Sequence, residues 1–375
     1  MAVDASFSSK RHAMPHGTLL ASNLNRGPVI PLRHRRRIAV SRMLLVVASA
    51  SPVAWAADAP PPKTWTAVAR DNADLLRLRS GPHLLYRSAL GGEAYGRLAV
   101  VALDRPDDPP LITNLKCHRA YYAGGRGICL GSEEEALRSR FFTLPFDRAL
   151  QSGRESPLVG FPSRARISPA GRYAAATTFV EGDSYGGKFS TRTLLYDLQR
   201  GQSLGDLELF AVSRNGKPFK SVDFNFWGVT FGREEGRFFA TLGTGGRTYL
   251  ITGDVRERTA RVLRENVECP SLSPDGKRIA FKKRIAEGRW RLHTLDLATL
   301  QERPIAGELR SVDDQVEWLD DGHVLYEYVE LVGLPQLAAN IWIAAVDQPT
   351  PARVFVRAAT APVVVREAVA KTAAP

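Results

Sequence analysis

The stretch Ser271-Leu-Ser-Pro-Asp-Gly-Lys-Arg-Ile-Ala-Phe281 predicts a strand, a tight turn and a second strand. Its proline presets the backbone φ at the start of the turn, and its glycine adopts the positive φ that the turn needs. The arrangement recurs along the chain in less regular form, and its first copy, residues 78–86, is degenerate. The turn glycines follow one another at spacings of 43, 47, 65, 40 and 46 residues and are Gly81, Gly124, Gly171, Gly236, Gly276 and Gly322.

A second marker, an apolar strand that ends in aspartate, follows each turn glycine after 18 to 26 residues. An aspartate in this place can close an Asx turn into the next strand. The six aspartates are Asp104, Asp147, Asp197, Asp254, Asp296 and Asp347. Two markers in phase, with four strands in each unit of about 40–60 residues, predict an all-β fold, a six-bladed β-propeller. The alternative is a β-sandwich or a solenoid with accidental spacing.

Three segments outside this period carry their own expectations. Residues 181–224 form an insertion whose Gly186-Gly187 and Asn215-Gly216 turns predict hairpins that extend blade 3 outward or cover one rim. The C-terminal strand Ala361-Pro-Val-Val-Val365 has no blade of its own, and we expect it to pair with blade 1 and close the ring. Residues 133–138 could form one helical turn, and no longer periodic helical segment is present.

The N-terminal segment carries most of the excess positive charge. The chain of 375 residues has a formal net charge of +12, and residues 1–56 contain eight of its 51 basic residues but one of its 39 acidic residues. An arginine cluster, an apolar run from Met43 and the sequence Ala54-Trp55-Ala56-Ala57 are typical of a secretory signal peptide. An uncleaved membrane anchor is the alternative. The remaining chain has a net charge of +5, an ordinary value that does not indicate nucleic-acid binding.

These observations divide the chain into four parts. Residues 1–56 are the signal peptide with a polar extension, residues 57–64 a proline-rich linker, residues 65–366 the propeller and residues 367–375 a tail expected to be disordered. We expect a periplasmic or secreted monomer that contacts a membrane only through the leader, if the leader stays uncleaved.

The repeat Ser-Pro-Asp-Gly-Lys-Arg-Ile-Ala-Phe resembles the propeller repeat of TolB-type periplasmic proteins, and the resemblance covers residues 65–366. Residues 225–231, 265–271 and 311–318 look like proteins labelled TolB-like translocation proteins. The resemblance implies an extracytoplasmic propeller whose tunnel mouth binds a protein or peptide. The family's namesake has an N-terminal α/β domain, whereas here about ten residues separate the predicted cleavage site from the first strand, near Trp65. A role in the Tol–Pal envelope system is therefore not implied.

One motif resembles a catalytic one. Gly182-Asp-Ser184-Tyr-Gly186 fits the GxSxG pattern and resembles the nucleophile motif of prolyl oligopeptidases. That chemistry needs a strand-to-helix elbow, an oxyanion hole and downstream histidine and aspartate. Here a strand follows, which favours a surface hairpin. We predict a binding module that is not an enzyme and needs no cofactor; the alternative is a glycan lyase or hydrolase that uses the tunnel mouth.

Metal and phosphate sites are not indicated either. The four histidines outside the leader lie in four different blades, and a strand or turn histidine is the favoured interpretation of each. The pairs Asp313-Asp314 and Asp320-Asp321 could hold Ca²⁺ at a tunnel mouth, but solvated turns are favoured. Gly243-Thr-Gly-Gly-Arg247 has no following helix, so a hairpin turn explains it better than a phosphate loop.

The three cysteines suggest one disulfide. Cys117 and Cys129 are nearly symmetric about the predicted turn at Ala123-Gly124, and export permits their oxidation. Only some strand registers would let them bond, so the pairing is one of two open outcomes. Cys269 takes the place of Cys117 in its own repeat and is predicted to be a buried thiol.

The loops that lead into the innermost strands should form one rim of the tunnel. A rim of mixed charge with exposed aromatic side chains would suit a peptide or protein ligand. Phe226 and Trp227 are the aromatic candidates, although Trp227 could instead pack between blades. The predicted rim residues are Arg164, Asn225, Phe226, Trp227, Glu268, Asp313, Asp314 and Gln315.

Overall fold

The computed structural model describes residues 66–67, 72–135, 138–180, 190–333 and 336–366. The described residues all belong to one compact unit within residues 60–375. The predicted signal peptide, linker and C-terminal tail lie outside the described residues, as does the GxSxG motif. Among the helices that are described, none is long and apolar enough to span a bilayer.

The described strands form six sheets, which are the six blades of the predicted propeller. The first strands in chain order are β1 (Thr66–Ala67), β2 (His83–Ser88), β3 (Arg97–Ala102) and β4 (Leu111–Lys116) in blade 1, and β5 (Arg119–Ala123), β6 (Arg126–Glu135), β7 (Arg138–Asp147) and β8 (Ser156–Leu158) in blade 2. Blade 3 contains β9 (Phe161–Ile167), β10 (Tyr173–Phe179), β11 (Thr191–Asp197) and β12 (Gln202–Asp206).

The second half of the ring follows the same plan. Blade 4 contains β13 (Ala211–Arg214), β14 (Lys217–Pro218), β15 (Asn225–Phe231), β16 (Arg237–Thr244), β17 (Arg247–Asp254) and β18 (Thr259–Glu265). Blade 5 contains β19 (Glu268–Leu272), β20 (Arg278–Ala286), β21 (Arg289–Asp296) and β22 (Glu302–Pro304), and blade 6 contains β23 (Glu317–Asp320), β24 (His323–Gly333), β25 (Gln336–Ala345) and β26 (Arg353–Val356). The last strand is β27 (Ala359–Val365).

Both sequence markers occupy the predicted places. The turn glycines of blades 2 to 6 lie between the innermost strand and the second strand, and the aspartates lie at or just after the end of the third strand. Asp197 Oδ1 accepts hydrogen bonds from the backbone N–H groups of Gln199 and Arg200, both at 3.0 Å. Asp296 Oδ1 does the same with Ala298 and Thr299. The predicted Asx turns are therefore confirmed at Asp197 and Asp296.

The ring closes as predicted, through the C-terminal strand. β27 is the innermost strand of blade 1 and pairs antiparallel with β2, with His83 opposite Val365 and Leu84 opposite Val364. This pairing also explains the degenerate first repeat. The prediction of a strand before Gly81 is wrong, because residues 73–79 form a helix, α1 (Ala73–Arg79), and β27 supplies the missing strand.

Helix α1 is absent from the sequence-based expectations because it is only seven residues long. Asn72 caps it, since its Oδ1 accepts hydrogen bonds from the N–H groups of Asp74 and Leu75 at 2.9 and 3.1 Å. Leu75 is buried in the core beside Leu85 and Leu98. The helical turn expected at residues 133–138 is wrong, because β6 extends to Glu135 and β7 begins at Arg138.

The insertion at residues 181–224 differs from the prediction. Residues 181–189 lie outside the described residues, and residues 191–206 are regular strands of blade 3. The Asn215-Gly216 hairpin extends blade 4 instead of blade 3, because β13 pairs in parallel with β18, the outer strand of blade 4. Asn215 and Gly216 have φ of 52° and 74°, the two positive values of a type I′ turn.

In the described part of the chain, the hydrophobic core consists of six clusters, one between each pair of neighbouring blades. Successive side chains of a strand point to opposite faces of its sheet. In β2, for example, Leu84 packs in the core toward blade 6 and Leu85 in the core toward blade 2. Both faces of every blade are therefore buried, and each blade depends on its two neighbours.

The structure joins Cys117 and Cys129 by a disulfide, with sulfurs 2.03 Å and Cα atoms 5.5 Å apart. Cys129 lies in β6 opposite Ala120, and Cys117 lies in the connection between blades 1 and 2. The disulfide therefore ties this connection to the second strand of blade 2. Cys269 is a buried free thiol, as predicted.

Replacing both disulfide cysteines by serine should lower the free energy of unfolding by about 3 kcal/mol, because the bond closes a loop of 12 residues in the unfolded chain. Urea unfolding of the oxidised protein and of the Cys117→Ser/Cys129→Ser variant measures this difference. Reduced wild-type protein should unfold like the variant. Equal midpoints for the oxidised protein and the variant would contradict a stabilising disulfide.

Candidate functional site

The six innermost strands line an axial tunnel and are β27, β5, β9, β15, β19 and β23. The predicted rim residues lie where these strands begin, which we call the amino end of the tunnel. The opposite end, where the strands finish, is the carboxyl end. In a ring of six, blades 3 and 6 face each other across the axis, and so do blades 1 and 4.

At the amino end, two ion pairs reach across the tunnel. Arg164 of blade 3 lies 3.5 Å from Asp314 of blade 6, between Nη2 and Oδ1, and both side chains are largely buried. Arg119 of blade 2 lies 3.3 Å from Glu327 of blade 6, between Nη1 and Oε2. Asp314 Oδ2 also accepts a hydrogen bond from the Glu327 N–H at 2.9 Å. Arg164 and Asp314 therefore bind each other instead of facing outward.

A second group at the amino end surrounds Lys282 of blade 5. Its Nζ contacts Asp313 and lies 3.8 Å from Glu268 Oε2. Burial opposes the charge of Lys282, but the nearby groups of Cys269 and Asp313 outweigh it, so the pKa of Lys282 is raised. Glu268 Oε1 also lies 2.8 Å from Arg284 Nη2, so Glu268 and Asp313 are both neutralised by basic residues.

The predicted aromatic rim is wrong. Phe226 is fully buried in the core between blades 3 and 4. Trp227 is buried too, and its ring lies so close to Gly243 that a Cβ there would be 2.7 Å from it. Asn225 accepts hydrogen bonds from the N–H and hydroxyl of Thr191 at 2.8 and 2.7 Å. Asn225 and Phe226 therefore join blade 4 to blade 3, and Trp227 packs against the second strand of blade 4.

Deeper in the tunnel, Gln315 crosses from blade 6 to blades 4 and 5. It is buried, and its Nε2 donates hydrogen bonds to the carbonyl oxygens of Val229 and Pro270 at 3.0 and 2.7 Å. Among the predicted rim residues it is the one that reaches furthest toward the carboxyl end. Gln315 therefore connects blades 4, 5 and 6 across the tunnel.

The next layer is a trio that the sequence did not indicate: the half-buried Tyr121 of blade 2 and the buried Arg166 of blade 3 and Glu317 of blade 6. Glu317 Oε2 lies 3.4 Å from Arg166 Nη2, and Tyr121 Oη donates to Glu317 Oε1 at 3.2 Å. The Arg166 guanidinium also lies 4.7 Å from the centre of the Tyr121 ring. Arg166 and Glu317 are only 8% and 4% exposed, so the pair closes the tunnel with compensated charge.

Below this trio, at the carboxyl end, lies an axial cavity of about 360 Å³. Every blade contributes to its lining, and the volume is in the range of pockets that bind small ligands or peptide segments. The inner end of the cavity is formed by Tyr121, Arg166 and Glu317. Trp318 lies in the wall, and its Nε1 donates a hydrogen bond to the Ser271 carbonyl oxygen. Because side chains cross the tunnel above it, this cavity is reached from the carboxyl end.

The remaining histidine, aspartate and glycine-rich candidates are explained by contacts within the protein itself. Burial lowers the pKa of His83 to about 4, and its Nδ1 lies 2.9 Å from the Gly81 carbonyl. Asp320 accepts a hydrogen bond from the Gly322 N–H, and Asp321 accepts one from the Asp275 N–H. Within the described ranges no group of three or more His, Cys, Asp or Glu side chains could hold a metal ion. The glycine-rich segment at 243–247 is the predicted hairpin between β16 and β17.

Comparisons with known proteins give the fold a context. No protein-family model and no curated protein matches the sequence. Solved structures similar to it include TolB from Acinetobacter baumannii, with 15% identity, a TM-score of 0.49 and coverage of 76% of this chain and 66% of that one. A putative TolB from Agrobacterium tumefaciens has 12% identity, a TM-score of 0.45 and coverage of 74% and 88%.

Enzymes occur among the similar structures as well. A puromycin-hydrolysing peptidase from Mycobacterium tuberculosis has 15% identity and a TM-score of 0.46, with coverage of 74% of this chain and 45% of that one. Propellers host many unrelated functions. These likenesses concern the fold alone, and the function has to be argued from the site.

Proposed function

We propose that this protein is a non-enzymatic module that binds a protein or peptide through the axial cavity at the carboxyl end of its propeller. The observation that carries the proposal is the cavity itself, about 360 Å³ in volume and lined by all six blades. Its wall combines apolar and aromatic groups with a few polar ones, as in sites that recognise peptides.

The pairing of charges in the tunnel favours recognition over catalysis. General acid–base catalysis needs a carboxyl or imidazole group that can reach a substrate proton. The carboxylates of Glu317, Asp314 and Glu327 each face an arginine across the tunnel. A carboxylate held in such a pair is a structural element, so the alternative of a glycan lyase or hydrolase has less support from the described residues.

The same proposal includes where the protein works. A disulfide between Cys117 and Cys129 suits an oxidising compartment, which agrees with the exported, periplasmic or secreted location expected from the leader. We also propose that the protein acts as a monomer, because the cavity is complete within one chain.

Filling the cavity should abolish ligand binding. Random peptides displayed on phage should yield binders of the wild-type protein, and Pro169→Trp should weaken their binding more than about tenfold, because Pro169 is exposed at the cavity. Titration calorimetry with the selected peptides measures this change.

Pro218→Trp is the matched control, since Pro218 is an exposed proline of blade 4 that does not line the cavity. Its peptide affinity should equal that of the wild type. The proposal fails if no peptides are selected, or if the two variants bind the selected peptides equally well.

A further inference from the structure

Two arginines stand at the mouth of the axial cavity with no carboxylate partner among the described residues. Arg233 follows β15 of blade 4, and Arg366 follows β27 of blade 1. Both line the cavity and both are exposed. Each side chain reaches a neighbouring blade, because the Arg233 guanidinium bonds to blade 5 and the Arg366 guanidinium to blade 6.

Their described contacts leave the charges uncompensated. Arg233 Nη1 donates to the carbonyl oxygen of Asp275 at 3.2 Å. Arg366 Nη2 donates to the carbonyl oxygens of Trp318 and Leu319. A carbonyl oxygen accepts a hydrogen bond but carries no formal charge to neutralise the guanidinium. Other arginines at this end do have acidic partners, as Arg172 has Asp197 at 3.1 Å.

The cavity therefore has a net positive lining. Its charged residues are Arg166, Arg233, Arg366 and a single carboxylate, Glu317, which belongs to Arg166. The charge of Arg366 also acts inside the cavity. Burial is the largest influence on the pKa of Tyr121 and raises it, while the positive charges of Arg166 and Arg366 oppose that rise.

We propose that the ligand of this cavity is an acidic peptide segment, whose carboxylates pair with Arg233 and Arg366 while its apolar side chains pack against the cavity wall. The inference rests on the proposed function and adds its ligand class. A guanidinium fork matches the geometry of a carboxylate, and such charge-assisted hydrogen bonds are stronger than neutral ones. A segment with two acidic residues supplies one carboxylate for each of the two guanidinium groups, which are held on different blades.

Charge reversal tests the inference. Phage-displayed random peptides selected on the wild-type protein should be enriched in aspartate and glutamate, and selection on Arg233→Glu/Arg366→Glu should enrich lysine and arginine instead. With one acidic peptide from the first selection, Arg233→Ala/Arg366→Ala should bind about tenfold more weakly or worse. Raising the salt concentration should reduce the difference in peptide affinity between the wild type and this alanine variant.

The matched control is Arg105→Glu/Lys277→Glu, which makes the same change of charge at exposed residues outside the cavity lining. It should select acidic peptides like the wild type. The selected peptides could bind the Pro169→Trp variant more weakly than the wild type and yet show no enrichment in acidic residues. That result would overturn the inference and leave the proposed function standing. A lack of any such peptides would overturn both. If millimolar inorganic phosphate displaced the acidic peptide at constant ionic strength, the ligand would be a free anion and not a peptide, and the inference would be wrong.

Discussion

A chain that ends at Ala358 should fail to fold cooperatively, because it lacks β27. Removing this strand leaves β2 without its partner and opens the cores on both sides of blade 1. Val363 and Val365 pack in the core toward blade 2, and Val364 packs in the core toward blade 6. Burial of each valine contributes roughly 1.5–3 kcal/mol. Their sum is comparable with the total stability of about 5–15 kcal/mol of an ordinary domain.

Near-ultraviolet circular dichroism and urea unfolding measure this loss, which should appear as a missing aromatic signal and a broad transition or none. The control is a chain that ends at Arg366, which retains all 27 strands of the described residues and should unfold like the full chain. Equal unfolding midpoints for the chains ending at Ala358 and at Arg366 would show that ring closure by β27 does not stabilise the propeller.

Replacing Glu317 by alanine should lower the free energy of unfolding by about 3–5 kcal/mol, because it leaves the buried Arg166 guanidinium without a countercharge. The same change removes the acceptor of hydrogen bonds from Tyr121 Oη and from the Val364 N–H at 3.3 Å. Blades 1, 2, 3 and 6 all contact this carboxylate, so its loss affects most of the ring.

Two comparisons isolate the cause. Replacing the pair together, as Arg166→Met/Glu317→Leu, should restore part of the stability, because no unpaired charge then remains buried. Glu234→Ala removes an exposed ion pair with Arg237, 3.7 Å apart, and should leave the urea midpoint unchanged within error. If Glu317→Ala behaved like Glu234→Ala, the buried pair would carry no stability.

The repeated turns explain how much of the fold the sequence could predict. A Pro-Asp-Gly turn and an Asx turn depend on residues within a few positions of one another. Six copies of two such local signals therefore located the blades, and the leftover strand at 361–365 indicated ring closure. The helix at Ala73–Arg79 was missed because it is short, and the Asn215-Gly216 hairpin was assigned to blade 3 because its pairing partner, β18, lies about 45 residues later in the chain.

The site followed the sequence less closely. Chain order placed Arg164, Glu268, Asp314 and Gln315 on the innermost strands or the loops before them. It could not show that each already has a partner across or beside the tunnel, nor that Phe226 and Trp227 are buried. Alternation along a strand assigns residues to two faces, but the faces toward neighbouring blades are equally apolar in this fold.

By itself, the sequence determined the number of blades, their order and the closing strand, because turns and hydrophobic alternation depend on residues that are close together in the chain. Only the tertiary structure decided that Tyr121, Arg166 and Glu317 meet, that the tunnel is crossed above them, and that Arg233 and Arg366 flank a cavity below. Tyr121 and Glu317 are 196 residues apart in the chain. Their contact exists because closure of the ring brings the innermost strands of distant repeats to one axis.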